Sequence, residues 1–258
     1  MIKAIPWPSK GFVQVWRRHF LVWRKSAATS LMGTLGEPFL YLMGMGYGLG
    51  RYVGEIDGIS YLVYLTAGIL AASSMNTATF EALYGGFTRM TRQNTFQAML
   101  ATPLRVSDVV AGEVAWGATK SLISGTAIFL VGNLLGSIPS ETAFLVLPVV
   151  FLSGVVFTCM GLVVMAIAPN YDFFLYYFTL VTTPMFLFCG VFYPVESLPE
   201  TGQMIANMLP LAHVVSLIRP LTIGAPLESP FFHVSALFVY AALTFFLAVH
   251  LLKKRLIV

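Results

Sequence analysis

Five ionisable side chains, Glu37, Glu81, Glu113, Lys120 and Asp172, fall within or beside long apolar runs. A charge held at the centre of hydrocarbon costs about 3 kcal/mol or more, so such groups mark a wet path, a substrate route or a buried pair. Glu81, near the end of its run, and Asp172, at a turn, are read as reaching headgroup water. Glu113 and Lys120 lie seven residues apart and share one helix face. About 10 Å of rise separates them, so they cannot pair directly and each needs another partner. Both are candidates for a substrate path, or else for a buried inter-helix pair or a snorkelling charge. Glu37 precedes Pro38, where a helix bends and frees carbonyls, and it is a hinge and path candidate. Tyr176 and Tyr177, inside a ring-rich run, offer hydroxyls and ring faces to an amphiphilic substrate.

Other chemistry is not expected. His19, His213, His233 and His250 are scattered, and neither H-x-x-x-H nor C-x-x-C occurs, so no metal site is expected. There is no G-x-S-x-G elbow. The run from Gly112 to Ser121 lacks the adjacent Gly-Lys of a phosphate loop and lies in an apolar helix, so the chain is expected to carry no ATP site and no cofactor of its own. Cys159 and Cys189 sit in apolar runs and read as small hydrophobes.

Composition sets the elements that must hold these groups. Of 258 residues, 57% are hydrophobic and 10% charged, against about 25% charged in soluble domains. The chain reads as an all-α integral membrane protein, one domain over residues 1–258. With about 1.5 Å of rise per residue, some 20 apolar residues cross a bilayer. Six runs qualify as transmembrane helices: 31–49, 61–83, 109–135, 143–167, 173–192 and 232–252. Ser107 is the expected N-cap of the third and Asp108 a favourable first-turn charge. Gly44, Gly46, Gly48 and Gly50 alternate at the end of the first and suggest close helix packing. Barrel-length alternation with period two is missing, which disfavours a β-barrel.

Twelve of the 15 Lys and Arg residues fall in the N-terminal stretch, after the second run or in the tail. Arg51 and Arg219 fall on the other side, and Lys120 inside a run. The positive-inside rule then predicts a multi-pass inner-membrane protein with both termini in the cytoplasm. No cleavable signal peptide is read at the N-terminus. Cations that flank apolar runs report orientation, so the net charge of +4 points to membrane lipid and not to nucleic acid.

Three segments are not spans. Residues 8–25 alternate apolar and basic at helical spacing, an interface helix in which Trp16 and Trp23 sit at headgroup level and Arg17 and Arg18 face anionic lipid. Residues 194–230, broken by Pro194, Pro199, Pro210, Pro220 and Pro226, hold Glu196, His213 and Arg219 and read as short helices dipping back into the outer leaflet, or as an ordinary external loop. Residues 92–103 form a short amphipathic helix with Asn94 as its cap, Phe96, Met99 and Leu100 on one face and Pro103 as its stop. It reads as a handle for a soluble partner or as a plain interfacial loop.

TFQAMLATPLRVSDVVAGE, WGATKSLISG, FLFCGVFYPVESLP and LPLAHVVSLIRPL occur in that order across nearly the whole chain. Together they resemble the type-2 ABC exporter permeases, especially the nodulation-factor (lipo-oligosaccharide) exporter branch. The resemblance implies six spans, an interface helix, a re-entrant external segment and a coupling helix over 92–103. That helix, with Arg92, Asn94, Phe96, Met99, Leu100 and Pro103, would engage an ATPase subunit. It further implies a permease homodimer with two copies of a separate ABC ATPase that holds ATP and Mg, and export of an amphiphile such as a glycolipid, lipo-oligosaccharide or hydrophobic drug. Gln93-Asn94-Thr95 departs from the acidic residue and Gly found in many members. An ion-coupled secondary transporter using Glu113 and Lys120 is the alternative from the residues alone, followed by a membrane enzyme acting on lipid or glycan.

Overall fold

The structure, a computed structural model, describes residues 7–257, and at residues 31, 34, 35 and 37 it describes the backbone only. Helix α1 (Phe12–Trp23) passes through a 3-10 turn at Arg24–Ser26 into α2 (Ala27–Tyr41). A wide π-helical run at Leu42–Leu49 continues it into α3 (Gly50–Val53). Strands β1 (Glu55–Ile56) and β2 (Ile59–Ser60) then pair antiparallel. Their two-residue turn, Asp57-Gly58, has positive φ at both positions, the pairing that such a turn requires. Helix α4 (Tyr61–Phe80), a π-helical segment at Glu81–Gly86 and α5 (Phe87–Thr91) run on as one rod, and the short α6 (Thr95–Leu100) follows.

Helix α7 spans Val106–Leu134. A 3-10 turn at Glu141–Leu145 starts α8 (Val146–Ile167). Helices α9 (Phe173–Tyr177) and α10 (Thr183–Phe188) are joined by a π-helical run, and α11 (Glu200–Met208) and α12 (Pro210–Ile223) meet at an 88° bend. Pro210 starts α12 without a missing N–H being felt, and Gly224 ends it in the left-handed conformation. Helix α13 (Pro230–Ile257) closes the chain.

Among the described residues, three helices can cross a bilayer by length and hydropathy: Val106–Leu134, Glu141–Ile167 and Pro230–Ile257. The bent α11–α12 pair makes four if it is counted as one span. The remaining expected spans fall short for visible reasons. Helix α2 has 15 residues before its π run, α4 is diluted by Ser73, Ser74, Asn76, Thr77 and Thr79, and the 173–188 segment is short. The fifth expected span stops at Phe188 rather than 192, because the chain turns at Gly190, which has φ 78°.

Helix α8 is the centre of packing, against α7, α13 and α4, while α12 covers α4, α8 and α13. Lipid offers helices no hydrophobic driving force, so close contact and hydrogen bonds must hold them. Small residues provide the first. A Cβ on Gly154 would lie 2.7 Å from Ala118 Cα on α7, and one on Gly117 would overlap Thr158 of α8. Hydroxyls provide the second: Ser74 meets Ser153 at 2.6 Å, Ser73 meets Ser124 at 3.1 Å, and Ser121 donates to the Ser74 carbonyl at 2.9 Å. The end of α8 is capped from α13, where Arg255 Nη1 donates to the carbonyls of Met165, Ala166 and Ala168 at 3.0, 3.0 and 2.8 Å. These are the carbonyls a helix end leaves without internal partners.

Two local expectations are corrected. The N-cap of α7 is Arg105, whose N–H donates to Asp108 Oδ2 at 2.9 Å; Ser107 is already inside the helix. Asp108 also accepts from the Ser9 N–H, tying the start of the chain to α7. Of the four alternating glycines, Gly46 packs on Leu62 and Gly50 on Tyr61, but Gly44 and Gly48 have nothing within 4 Å of a Cβ. Gly154→Val is therefore expected to lower stability by about 1–3 kcal/mol through overpacking, whereas Gly44→Ala is tolerated. Thermal unfolding in detergent checks this, and equal midpoints for the two variants would contradict it.

Candidate functional site

The site is built around Arg89. An α-helix turns about 100° per residue, so positions 81 and 89 would sit about 80° apart on a regular helix. The π-helical segment at Glu81–Gly86 absorbs one extra residue per turn and brings both to one face. Arg89 Nη1 donates to Glu81 Oε1 at 2.8 Å. Gly85 leaves room for this, since a Cβ there would lie 2.6 Å from Glu81 Oε1. The other edge of the guanidinium forks onto Glu113 of α7, Nε to Oε1 at 3.1 Å and Nη2 to Oε2 at 2.5 Å. Helix α1 adds His19, with Nε2 2.9 Å from Glu113 Oε1. On the far side Glu81 Oε2 accepts from Lys120 Nζ at 3.0 Å, and Oε1 accepts from Trp116 Nε1 at 3.0 Å.

The result is one chain of ion pairs and polar contacts, His19–Glu113–Arg89–Glu81–Lys120, across four elements. It is largely buried: the side chains of Glu113, Glu81 and Arg89 are 2%, 11% and 12% exposed. Charges this buried persist only when paired and hydrogen-bonded. The expectation that Glu113 and Lys120 need separate partners is met through Glu81 and Arg89. The reading of Glu81 as a headgroup-seeking side chain is wrong, because Arg89, Trp116 and Lys120 hold it inside the bundle.

Two cavities meet at this chain. An inner one of about 420 Å3 lies among α2, α4, α7 and α10, lined by Tyr41, Ser73, Asn76, Thr77 and Phe186 along with Glu81 and Lys120. A second, of about 390 Å3, opens toward α1 and α6, lined by Arg18, Trp23, Arg89, Gln93 and Trp116, again with Glu81 and Lys120. Neither Tyr176 nor Tyr177 lines them: Tyr176 is exposed, and Tyr177 is buried in the packing core. Glu113 lines neither and serves the ion chain. Pro38 lines the inner cavity, but the Glu37 side chain falls outside the described residues.

The short helix α6 differs from expectation in which face it presents. Phe96 and Met99 are buried at 0% and 8% exposure in the same cluster as Val15, Phe87, Val110 and Val249, so they hold α6 to its own chain. Leu100 is half-buried, and Arg92, Gln93, Asn94, Gln97, Ala98 and Pro103 are exposed. Asn94 occupies the N-cap position in the left-handed conformation and makes no side-chain cap bond. A groove of about 610 Å3 runs between α6 and α13, lined by Gln97, Leu100, Leu104, Lys253 and Leu256.

Helix α1 seats on α7 rather than lying apart from it. Gly112 lets Val15 approach, Trp16 Nε1 donates to Thr119 Oγ1 at 2.9 Å, and the Trp23 ring packs on Trp116 at 6.0 Å. The two indoles thus serve protein contacts. Arg17 is exposed, and Arg18 Nη2 reaches Thr95 Oγ1 of α6 at 3.4 Å.

At the opposite end of the bundle, Arg219 of α12 donates to the Gly190 carbonyl and stacks over the Tyr64 ring, 3.7 Å from its centroid. His213 Nδ1 lies 2.9 Å from His233 Nδ1 of α13. Glu196 is exposed in the loop before α11. The structure does not bring these three residues together with the ion chain. His19 and Arg89 are the residues that sequence reasoning missed; the odd polar positions of α1 and the run of Gly85-Gly86 before Arg89 are the signals that could have found them.

Comparison with known proteins decides the family. The model of the ABC-2 type transporter family matches residues 10–223. The chain belongs to that family. It is 44% identical to "Nodulation protein J" of Rhizobium leguminosarum bv. trifolii over 256 residues, 99% of this chain and 98% of the relative. It is 42% identical to the protein of the same name in Bradyrhizobium diazoefficiens, over 98% and 97% of the two chains. "Inner membrane transport permease YadH" of Escherichia coli is 24% identical over 70% of each. As an ABC-2 type transporter chain the protein is a multi-pass membrane protein and a transport subunit, and its family implies an ABC ATPase as partner.

In this ABC-2 subunit, Arg89→Ala would break both of its ion pairs, leaving Glu113 only His19 and Glu81 only Lys120 and Trp116, and is expected to cost about 3–5 kcal/mol. Arg92→Ala, at an exposed position, should cost less than about 0.5 kcal/mol. Comparing the thermal unfolding of both variants checks the pairing; equally small shifts would mean that water already solvates Glu81 and Glu113.

Proposed function

We propose that this chain is the membrane-spanning permease of an ABC exporter that moves an amphiphile out of the cytoplasm. A glycolipid or lipo-oligosaccharide fits best, given relatives named for nodulation, and a hydrophobic drug is a further cargo class. The permease works as a homodimer in the inner membrane, with six spans, an interface helix, a re-entrant segment before the last span and both termini cytoplasmic. Two copies of a separate ATPase hold ATP and Mg, and this chain contributes no cofactor site. The basic residues flanking the apolar helices support this orientation.

One observation carries the mechanism: Arg89 stands on the last helical turn before α6 and is bonded to both walls of the bundle. In this reading α6 is the coupling helix, pressed by the ATPase through Gln97, Ala98, Arg92, Asn94 and Pro103. Phe96 and Met99 fasten it to α1, α5 and α7, so that a push on α6 moves the helices bearing Glu81, Glu113 and Lys120. Differential contact with the two ATPase states supplies the bias that any such switch needs. The inner cavity is the cargo station, with Lys120 as its charged wall.

Ala98→Arg, on the exposed face, is expected to weaken co-purification with the ATPase about tenfold and to abolish export, while the melting temperature stays unchanged. Met99→Asp should instead unfold the cytoplasmic end. Wild-type export by Ala98→Arg, or uphill transport by the chain alone in proteoliposomes, would overturn the reading.

A further inference from the structure

The two cavities share only Glu81 and Lys120 among the described residues that line them, and these two are paired at 3.0 Å. The pair is therefore the partition between the cavity on the α1 side and the cavity among α2, α4, α7 and α10. Its halves are held very differently. Glu81 keeps Arg89 and Trp116 on Oε1 if Lys120 leaves. Lys120 Nζ has Glu81 as its one hydrogen-bond partner among the described residues, and at 20% its side chain is the most exposed of the ion chain. The lysine is the movable half. It is also the one cation lining the inner cavity among the described residues.

A neutral hydroxyl competes poorly with a carboxylate for an ammonium group, because it brings no opposite charge to attract it. An incoming anion can make the exchange at little cost: Lys120 trades one carboxylate for another anion, and Glu81 remains compensated. We propose that Lys120 is a substrate-binding residue. An anionic group on an amphiphile takes the ammonium from Glu81, and this exchange opens the partition into the inner cavity. The ligand class is an amphiphile bearing phosphate, sulfate or carboxylate next to a hydroxylated head. Ser73, Asn76 and Thr77 meet the head, and Tyr41 and Phe186 give it ring faces. At about 420 Å3 the chamber is within the size range of small-ligand sites.

The inference deepens the exporter reading and rests on it for passage, though not for binding. Its test uses the purified full chain in nanodiscs of zwitterionic lipid, without ATPase. The probes are palmitoyl lysophosphatidate and monopalmitoylglycerol, which differ in one phosphate. Wild type is expected to bind the phosphate probe about tenfold more tightly. Lys120→Gln should bind both equally, and Lys120→Arg should keep the preference. Glu81→Gln, which releases the lysine, should tighten phosphate binding several-fold and leave the neutral probe unchanged. No preference in wild type, a preference surviving Lys120→Gln, or weaker phosphate binding by Glu81→Gln would each overturn the proposal. ATP-driven export by the full complex is scored separately. Anion preference without export sinks the exporter reading alone, and export without anion preference sinks this inference alone.

Discussion

A single guanidinium between two buried carboxylates sets the terms for this fold. Arg89 has its fork on Glu113 and its remaining edge on Glu81, so it binds α5 to α7 and to the π-helical turn of its own rod. Without it Glu113 would keep only His19, and Glu81 only Lys120 and Trp116. The geometry depends on two departures from regular helix. The π-helical turn sets the register, and Gly85 clears the space. Either would weaken an isolated helix, and both are held by α7 and α8 packed around them. That is the usual signature of irregular helix at a working site.

The same chain of charges explains how a short surface helix can matter to a chamber inside the bundle. Helix α6 is not a free handle. Phe96 and Met99 lock it into the core, Arg18 reaches Thr95, and Arg89 is only a few residues away along the backbone. Packed cores shift between discrete arrangements rather than deform smoothly. In the proposed exporter a displacement of α6 would be passed to Glu113 and Glu81 as a unit, and through Glu81 to Lys120 at the cavity wall. The opposite end is held separately, by Arg219 on Tyr64 and the Gly190 carbonyl and by the His213–His233 contact. The bundle therefore has one charged end near α6 and a second, aromatic and imidazole closure away from it.

Much of this was legible in the sequence, and the failures have physical causes. Apolar runs gave the helical architecture, and the spacing of Glu113 and Lys120 showed that neither could satisfy the other. Their partners were hidden because Arg89 also reads as an orientation charge and His19 as part of an amphipathic stripe. Contacts between residues 24 and 103 positions apart, such as Arg89–Glu113 and Trp16–Thr119, leave no periodic trace. The π-helical turn that aligns Arg89 with Glu81 has no sequence period of its own. Amphipathicity located α6 but not the side from which it is covered, so Phe96 and Met99 were assigned to a partner when their own chain buries them. Likewise an alternating glycine run looked like a packing stripe, and only half of it touches a neighbour.

The most direct test of the account removes the charges of Glu81, Arg89 and Glu113 together, so that no carboxylate or guanidinium of the three is left without its partner. In Glu81→Gln/Arg89→Gln/Glu113→Gln the buried interior keeps its hydrogen-bonding groups and loses the ionic coupling, while Lys120, the most exposed member of the chain, is left facing the cavity. Export per ATP hydrolysed is measured on this variant assembled with its ATPase. The account predicts continued hydrolysis with export per ATP reduced about tenfold or more, a loss of coupling worth about 1.4 kcal/mol or more. Export per ATP equal to that of the wild type would contradict it.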